Sequence, residues 1–435
     1  MRSRNWIALC ADLCGRSAIY NPAMAELLSY AEADAIVATY ARELGKAKPA
    51  VERVAVTEAL GRVLAAPVVA DEDQPPFARS TRDGFACRAA EASMHAFLPV
   101  AGSTQAGEAP AGRLPEGAAW EIMTGAPVPQ DADAVVMLEH VERDGEQVRL
   151  LPDRTIKAGD NVVKRAAQAR RGDVLLDAGV DIGAAQIALA ASCGCVELPV
   201  HKRPRVAILT TGDELVAVDR APGPGQIRNS NAPMLASLVA NAGGEPRVLP
   251  TAADTAEALD AALQQAFEAD MLLISGGVSA GKFDLVEPAL ERLGAKFYFT
   301  GVRIQPGKPL VFGALRGADS PMPFFGLPGN PISSAATFLL FGAQVLRALA
   351  GRGDCGTQFL SAQLAKETDR KGKAGLARFL PAFCDFAFKT GPQVMTTPWQ
   401  GSGDLAAFAR SNCFVMIPED KATLDAGTTV RILTI

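Results

Sequence analysis

The chain has 435 residues, of which 49% are hydrophobic and 21% charged, and its 43 basic and 48 acidic side chains give a net charge of −5. This length exceeds what one hydrophobic core accommodates, so we expect about three or four domains. Apolar residues along the whole chain exclude a disordered protein, and the lack of a basic block argues against a nucleic-acid partner.

The first 23 residues contain neither a capped helix nor an alternating strand. Their basic start is followed by an apolar stretch that Asp12 and Arg16 interrupt, which argues against a signal peptide. We therefore expect residues 1–23 to be a disordered extension before Met24. No segment of the chain is predicted to span a membrane.

The eight cysteines are spaced too irregularly for a disulfide framework or a zinc site. Free thiols indicate a reducing compartment, so we expect a cytoplasmic protein. Only Cys193 and Cys195 are close in sequence. We interpret this pair as part of a small-residue turn, with a metal site as the less favoured alternative.

The first predicted helix follows Ser29, because Ser29 and Glu32 form a capping box and Val37 and Tyr40 then share a helical face. Residues 46–200 instead contain short β-rich runs between Gly and Pro, which is typical of small β-rich modules. The predicted strands are 51–56, 120–122, 135–138 and 148–151.

From Pro204 onward strands and helices alternate, which predicts a mostly parallel sheet with helices on both faces, a three-layer α/β/α domain. Asn231 is expected to cap the first helix, and Asp254 to begin the capping box of the second. The predicted strands are 206–209, 271–274, 297–302 and 323–327, and the predicted helices are 234–242, 254–269, 286–293 and 331–350.

After Gly351 the β signals return and indicate a small closed or sandwiched β domain. Its predicted strands are 379–388, 394–397, 413–417 and 429–433. The whole chain is thus multidomain α/β. We expect an elongated N-terminal domain (24–50 with 140–200), an inserted β-rich domain (51–139), a central domain (201–350) and a C-terminal β domain (351–435).

Ligands of wound sheets bind beyond the carboxyl ends of the strands, and two of those ends are glycine-rich here. Glycine lets backbone N–H groups approach an oxyanion, and a helix N-terminus adds a favourable dipole. Either turn alone could be only a tight turn, but two at one edge favour phosphate binding. The residues concerned are Ser275, Gly276, Gly277, Ser279 and Gly281 in the first turn, and Pro328, Gly329, Asn330 and Pro331, followed by Ser333, in the second.

Carboxylates are predicted at the same edge. Each of them alone fits an N-cap or a solvated side chain. Together, beside phosphate-binding turns, they would repel an anion unless Mg²⁺ bridged carboxylate and phosphate oxygens. The residues therefore indicate metal-assisted chemistry at a phosphate or pyrophosphate. They are Asp213 and Glu214, which follow Gly212, together with Asp254 and Asp284.

Motifs from about Met24 to the end of the chain resemble, in order, those of the molybdopterin molybdenumtransferase (MoeA) family. They are RSTRDGFA at 79–86, similar to the family's RSAMDGYA, MTGAP at 123–127, TGDEL at 211–215, SGGVSAG at 275–281 with Asp284, PGKP at 306–309, LPGNP at 327–331, GS at 401–402 and SNCF at 411–414. The resemblance implies a MogA-like central domain and a relationship to the E domain of gephyrin.

The resemblance also implies a cytoplasmic homodimer that inserts molybdenum from molybdate into adenylylated molybdopterin with Mg²⁺ and releases AMP. The active cleft would lie between the central domain of one subunit and the 79–86 domain of its partner. By position, the pterin–nucleotide part is lined by Asp83, Thr124, Glu214, Asp254 and Asp284. The anion part is lined by Lys308, Pro328, Asn330, Pro331, Ser333, Arg378 and Ser402.

The resemblance also implies a specific role for two groups of these residues. Asp284, with Glu214 or Asp254, is expected to hold Mg²⁺. Arg378 and Ser402, with Ser333 close by, are expected to hold molybdate, and the alternative for Arg378 is a surface arginine beside a loop.

Several positions depart from the family pattern. Arg82 replaces the usual methionine and is expected to lower the pKa of Asp83. Residues 166–168 are Ala-Ala-Gln where the family often has Gly-Glu-Asp, and Gly301 and Gln305 stand where it has lysines. These changes concern anion and metal binding more than the reaction.

Two other functions stay open from sequence. The molybdopterin adenylyltransferase is a single domain that resembles residues 204–350, and a gephyrin-like scaffold would use a similar chain to cluster other proteins. Asp83, Asp284 and Arg378 favour the enzyme, since a scaffold has no use for them. Besides small-molecule substrates, the candidate partners are the adenylyltransferase and the molybdoenzymes that accept the cofactor.

Overall fold

The computed structural model describes residues 27–47, 49–109, 112–277, 285–316, 321–368, 375–387 and 391–435. The chain divides into two compact units. The larger unit contains the chain up to Glu52, Gly61–Val63 and Val200–Ile435, and the smaller unit contains Arg53–Leu60 and Leu64–Pro199. The extension expected at residues 1–23 lies outside the described residues.

Helix α1 spans Tyr30–Leu44 and starts with the predicted capping box. The Ser29 hydroxyl accepts a hydrogen bond from the Glu32 backbone N–H, and the Glu32 carboxylate accepts one from the Ser29 N–H. Both donors would otherwise be unsatisfied at a helix start. The prediction of this helix from the sequence is confirmed.

The location of α1 differs from the expected division into domains. We expected residues 24–50 to join residues 140–200, but the helix belongs to the larger unit. Its apolar face explains this, because the Tyr40 ring packs edge-on against Phe312 with 5.2 Å between centroids, inside the larger unit's core.

The smaller unit is β-rich, as predicted, and every strand predicted in this region is present within one residue of its expected bounds. Six strands form one sheet in the order β7-β4-β6-β5-β9-β8, with Phe85 and Val136 in its core. The elements of residues 51–201 are β1 (Val51–Ala55), β2 (Val68–Val69), β3 (Arg79–Ser80), β4 (Gly84–Cys87), α2 (Ala89–Ala92), β5 (Leu98–Thr104), β6 (Ala119–Ile122), β7 (Ala134–Met137), β8 (Val141–Asp144), β9 (Gln147–Leu150), β10 (Val162–Val163), β11 (Val174–Leu176), α3 (Ala184–Ser192) and β12 (Glu197–His201). Short 3₁₀ turns occupy Val56–Glu58 and Leu138–His140.

The cysteines in the described ranges all carry free thiols, as expected. Cys193 and Cys195 flank Gly194, which has a φ of +71°, so this pair does lie in a turn. Within the same ranges, no group of three His, Cys, Asp or Glu side chains is arranged to hold a metal ion.

The central part of the larger unit alternates strands and helices. Its elements are β13 (Arg205–Thr210), β14 (Leu215–Val216), β15 (Ile227–Arg228), α4 (Asn231–Asn241), β16 (Glu245–Val248), α5 (Ala256–Ala266), β17 (Met271–Ser275), α6 (Val286–Arg292), β18 (Lys296–Thr300), β19 (Ile304–Gln305), β20 (Val311–Leu315), β21 (Met322–Leu327), α7 (Pro331–Thr337), a π-helical turn (Phe338–Gly342) and α8 (Ala343–Leu349).

The central sheet has the strand order β16-β13-β17-β21-β20-β18. Its first four strands are parallel, and β20 and β18 are antiparallel additions. The mixed α/β class is confirmed. Strand β20 was not predicted: its short apolar run contains Gly313, and periodicity alone does not assign such a run to a strand.

Successive residues of the central strands pack into two different cores. Ile208 and Leu273 belong to a core that includes α1, α4, α7 and α8, whereas Leu209 and Leu272 belong to a core that includes α5 and α6. This follows from the twofold periodicity of a strand with both faces buried.

The run Pro331–Leu349 is long and apolar enough to cross a membrane by length and composition, with a mean hydropathy of 1.4. Yet 83% of its most apolar window is buried inside the larger unit. Burial accounts for its apolar composition, since a helix covered on all sides within a large core is apolar all round.

The C-terminal residues form a closed β structure, as predicted. Their elements are β22 (Leu360–Leu364), β23 (Ala377–Asp385), β24 (Gln393–Thr396), α9 (Leu405–Ala409), β25 (Cys413–Ile417) and β26 (Thr429–Thr434). The sheet order is β19-β23-β24-β22-β26-β25, and β23 also pairs with β25, which closes the ring. Strand β19 joins this sheet to the central part of the chain.

The aromatic cluster around Phe312 should dominate the stability of the larger unit. Phe312 is fully buried and stacks on Phe325 with 4.5 Å between ring centroids. Phe312→Ala should lower the free energy of unfolding by about 3–5 kcal/mol, the usual cost of removing a buried ring. Guanidinium unfolding followed by circular dichroism measures this.

The matched control is Phe383→Ala, because the Phe383 side chain is 52% exposed in the same unit. It should change the unfolding free energy by less than about 0.5 kcal/mol. Equal losses for the two variants would contradict the central position of Phe312.

Candidate functional site

The two glycine-rich turns lie side by side at the carboxyl edge of the central sheet. β17 and β21 are parallel neighbours with Ser275 opposite Leu327, so the residues that follow them emerge together. A Cβ placed on Gly329 would lie 3.7 Å from the Gly276 Cα. Gly276 has a φ of +97°, and a Cβ there would lie 2.6 Å from the Thr211 carbonyl oxygen, so only glycine fits.

Asn231 joins these two turns. Its Nδ2 donates to the Ser275 hydroxyl at 2.9 Å and to the Gly329 carbonyl oxygen at 2.7 Å. The expectation that Asn231 is an N-cap is wrong, because it is the first helical residue of α4 and its side chain turns towards the strand ends. Sequence reasoning missed this role, although Asn229 and Asn231, at the start of a helix beside a sheet edge, were a visible signal.

A hydrogen-bonded cluster supports the start of α4 beneath the turns. The Asn229 Nδ2 donates to Thr210 Oγ1 at 2.8 Å and to Thr251 Oγ1 at 3.1 Å. The Asn229 Oδ1 accepts from the Ala232 backbone N–H. Asn229 therefore connects the end of β13 and the loop after β16 to the first turn of α4.

Three buried side-chain oxygens at this edge have no hydrogen-bond partner among the described residues. They are Thr211 Oγ1, Asn231 Oδ1 and Ser334 Oγ. Buried polar atoms in folded proteins are nearly always hydrogen-bonded, and each exception needs an explanation. Two of them, Thr211 Oγ1 and Asn231 Oδ1, belong to side chains that lie against the glycine turns, so these turns are lined by acceptor oxygens that the described residues leave free.

The carboxylates of this edge are close enough to influence one another. Asp213 Oδ1 accepts from the Asp254 backbone N–H at 3.1 Å. Partial burial, together with the negative charges of Asp213 and Glu214, raises the pKa of Asp254. A cation would relieve this repulsion.

Asp254 does not begin the capping box, because Thr255 is the N-cap of α5 and its hydroxyl accepts from the Ala258 N–H. Asp254 is thus not used as a helix cap. Asp284, Ser279 and Gly281 lie outside the described residues.

The C-terminal turn at Ser402 reaches the start of α7. The Ile332 N–H donates to the Ser402 carbonyl oxygen at 3.0 Å. Pro331 occupies the first helical turn with Asn330 as N-cap, and Ser333 behind it is buried. The structure therefore places Ser402 beside the second glycine turn. This is the arrangement expected if Ser402 and that turn belong to one binding site.

Arg378 is buried, with only 3% of its surface exposed. Its Nη2 donates to the carbonyl oxygens of Lys421 and Ala422. In the sheet it pairs with Gln305, which precedes the loop that carries the exposed Lys308. The alternative of a surface arginine is wrong, and Arg378 supplies a fixed positive charge to the interior beside this loop.

Gly301 also has a structural explanation. Its φ is +89°, and a Cβ there would lie 2.4 Å from the Leu27 Cδ2. A lysine at this position would therefore clash with Leu27 in this chain. The departure from the family pattern follows from local packing.

In the smaller unit, Thr124 holds Asp83. The Thr124 backbone N–H and hydroxyl donate to Asp83 Oδ1 at 2.6 and 2.8 Å. These bonds, the backbone one first, lower the pKa of the exposed Asp83 carboxyl. The expectation that Arg82 lowers this pKa is wrong, because the hydrogen bonds from Thr124 account for the shift.

Thr124→Val should raise the pKa of Asp83 towards its ordinary value of 3.8, because one of the two donors is lost and the backbone donor stays. A carboxyl ¹³C NMR titration measures this change. Asp73 is the internal control, since the Arg171 N–H and Arg165 hold its pKa low, and its value should not move. An unchanged pKa of Asp83 would contradict the role of the Thr124 hydroxyl.

Comparison with known proteins covers nearly the whole chain. The MoeA N-terminal region (domain I and II) matches residues 28–194, the probable molybdopterin binding domain matches 207–348, and the MoeA C-terminal region (domain IV) matches 363–435. The molybdopterin molybdenumtransferase of Nostoc sp. is 34% identical over 394 residues, which cover 88% of each chain. That of Haemophilus influenzae is 32% identical and covers 88% of this chain and 93% of its own.

Solved structures agree with this result. One crystal structure of the molybdopterin biosynthesis MoeA protein from Pyrococcus horikoshii is 32% identical, with a TM-score of 0.74, and covers 94% of this chain and 99% of that one. A second is 28% identical with a TM-score of 0.77 and covers 94% of this chain and all of that one. The chain therefore belongs to the molybdopterin molybdenumtransferase (MoeA) family.

Proposed function

We propose that this protein is a molybdenum insertase, which transfers molybdenum from molybdate to adenylylated molybdopterin and releases AMP. The observation that carries the proposal is the pair of neighbouring glycine turns at one sheet edge, flanked by the oxygens of Thr211 and Asn231 that have no partner among the described residues. Membership of the molybdenumtransferase family supports the reaction. Matches on both sides of residues 207–348 favour it over a single-domain adenylyltransferase.

The glycine turns are suited to the nucleotide phosphates. Because Gly276, Gly277 and Gly329 carry no side chains, nothing of their own shields the backbone N–H groups of these turns from an oxyanion. The start of α7 at Pro331 adds the positive end of a helix dipole. These groups act by orientation and by electrostatic stabilisation, which cost no rearrangement during the reaction.

The carboxylates at this edge are the kind of oxygen donor that Mg²⁺ prefers, although the described ranges contain no ready group of three such ligands. Asp213, Glu214 and Asp254 offer oxygen donors, and the partial burial and neighbouring negative charges that raise the pKa of Asp254 would both be offset by a cation. We propose that Asp254 and Glu214 bind the ion, with Asp284 as a third ligand. When bound, Mg²⁺ would polarise the pyrophosphate and offset its charge.

Molybdate, a dianion, needs fixed positive charge and hydrogen-bond donors. We propose that Arg378 and Ser402 hold it, with Ser333 and Lys308 close by. Ser402 lies against Ile332, and Arg378 lies beside Gln305. Because backbone carbonyl oxygens hold the guanidinium in place, its positive charge has a fixed position towards which an oxyanion can be oriented.

The direct test mixes purified protein with adenylylated molybdopterin and Mg²⁺ and follows AMP release on adding molybdate. Release that depends on both molybdate and Mg²⁺ is the expected result. Absence of AMP release, with substrate bound, would overturn the proposed reaction.

Arg378→Lys should raise the molybdate concentration for half-maximal turnover by about tenfold, because lysine keeps the charge but loses the planar pair of donors. Lysine is preferred to alanine because residue 378 is buried. Arg410→Lys, at an exposed position, is the matched control and should leave the curve unchanged. An unshifted molybdate curve, or an equal loss of AMP affinity, would rule out the assignment.

We further propose a cytoplasmic homodimer in which Asp83 of one subunit acts with the central site of its partner. Asp83→Asn and Asp284→Asn should then each be inactive, and a mixture of the two should regain activity because a heterodimer contains one intact site. Turnover after subunit exchange, verified by mass spectrometry, measures this. No recovery after verified exchange would place Asp83 in its own subunit's site.

A further inference from the structure

The orientation of the Asn231 amide is fixed by its partners. The Gly329 carbonyl oxygen can only accept a hydrogen bond, so the Asn231 atom 2.7 Å from it must be Nδ2. The opposite orientation would place two acceptors together. The Oδ1 atom is therefore the one that is buried without a partner among the described residues.

Asn231 connects three elements through one residue. Its backbone begins α4, and its Nδ2 reaches Ser275 at the end of β17 and Gly329 in the turn after β21. The close approach of Gly276 and Gly329 leaves little room between the turns. One amide group donates to both turns, and with the hydrogen bond from the Gly276 N–H to the Leu327 carbonyl oxygen it holds them at this spacing.

The Asn231 Oδ1 atom has no partner among the described residues, which indicates that Asn231 does more than link the two turns. A buried acceptor without a donor costs free energy, and a purely structural connection gains nothing from that cost. Oδ1 only accepts hydrogen bonds, so it cannot face a phosphate oxygen. It can face a hydroxyl or an amino group. The Thr211 hydroxyl, which also has no partner among the described residues, lies beside the same glycines.

We propose that Asn231 is a positioning residue for the reaction: its Nδ2 sets the spacing of the two glycine turns, and its Oδ1 accepts a hydrogen bond from a hydroxyl or amino group of the bound nucleotide. This inference rests on the proposed function, because it requires that the ligand beside Asn231 Oδ1 is the nucleotide part of the substrate. It divides the site into an N–H side for phosphates and an acceptor side for the rest of the nucleotide.

The test compares Asn231→Asp and Asn231→Ala with Asn241→Ala, the exposed last residue of the same helix. Turnover, AMP binding by calorimetry and thermal unfolding are measured for each. Asn231→Asp should lower kcat and AMP affinity by about tenfold or more at pH 8, because an ionised carboxylate has no donor for the Gly329 carbonyl. The molybdate concentration for half-maximal turnover and the behaviour of Asn241→Ala should stay as in the parent protein.

The pH profile separates positioning from simple destabilisation. The quantity compared is the ratio of N231D turnover to parent turnover between pH 5.5 and 8. This ratio should rise as the pH falls, because protonation of the introduced carboxylate restores one donor towards Gly329. The carboxylates of Asp213, Glu214 and Asp254 are present in both proteins, so their contributions cancel in the ratio. Asn231→Ala should show no such recovery.

Each outcome decides the question. If the parent protein neither binds AMP nor turns over, the proposed function fails and this inference falls with it. If the parent is active but N231D has the parent's affinity and pH profile, the positioning role alone is overturned. If Asn231→Ala does not fold, the result with Asn231→Asp decides between these outcomes, because aspartate preserves the side-chain volume of asparagine.

Discussion

The parallel register between β17 and β21 is the constraint on which the site depends. Ile274 lies opposite Gly326 and Ser275 opposite Leu327, so both strands end at the same level. A slip of one residue would move one turn by about 3.3 Å and turn its side chains to the other face. Phe325 of β21 stacks on Phe312 of the next strand, β20, and a one-residue slip of β21 alone would turn Phe325 away from the core that the two rings share.

The same register places acidic side chains and backbone N–H donors at different positions along the carboxyl edge of the central sheet. Acidic side chains follow β13 and β16, at Asp213 and Asp254, whereas backbone donors follow β17 and β21 at the glycine turns. In the proposed site, a cation would therefore bind beside β13 and β16 and a phosphate beside β17 and β21, as neighbours. The fold achieves this with strand order alone, since β13 lies between β16 and β17 in the sheet.

Local signals allowed much of this to be predicted. The Ser29 capping box, the alternation after Pro204 and the glycine turns are short-range patterns, and the structure contains the corresponding elements. The role of Asn231 and the burial of Arg378 depend on contacts with residues 98 and 43 positions away, at Gly329 and Lys421. No local pattern encodes such partners, so sequence reasoning assigned Asn231 to a cap and left a surface position open for Arg378.

The place of α1 in the larger unit has a consequence for synthesis of the chain. Tyr30 packs against Phe341 and Phe379, and its backbone N–H donates to Glu419, so the partners of this helix are made last. The smaller unit, by contrast, is built almost entirely from residues 64–199 and is complete much earlier. Because domains fold as units during translation, the apolar face of α1 stays uncovered on the ribosome until most of the polypeptide has been synthesised.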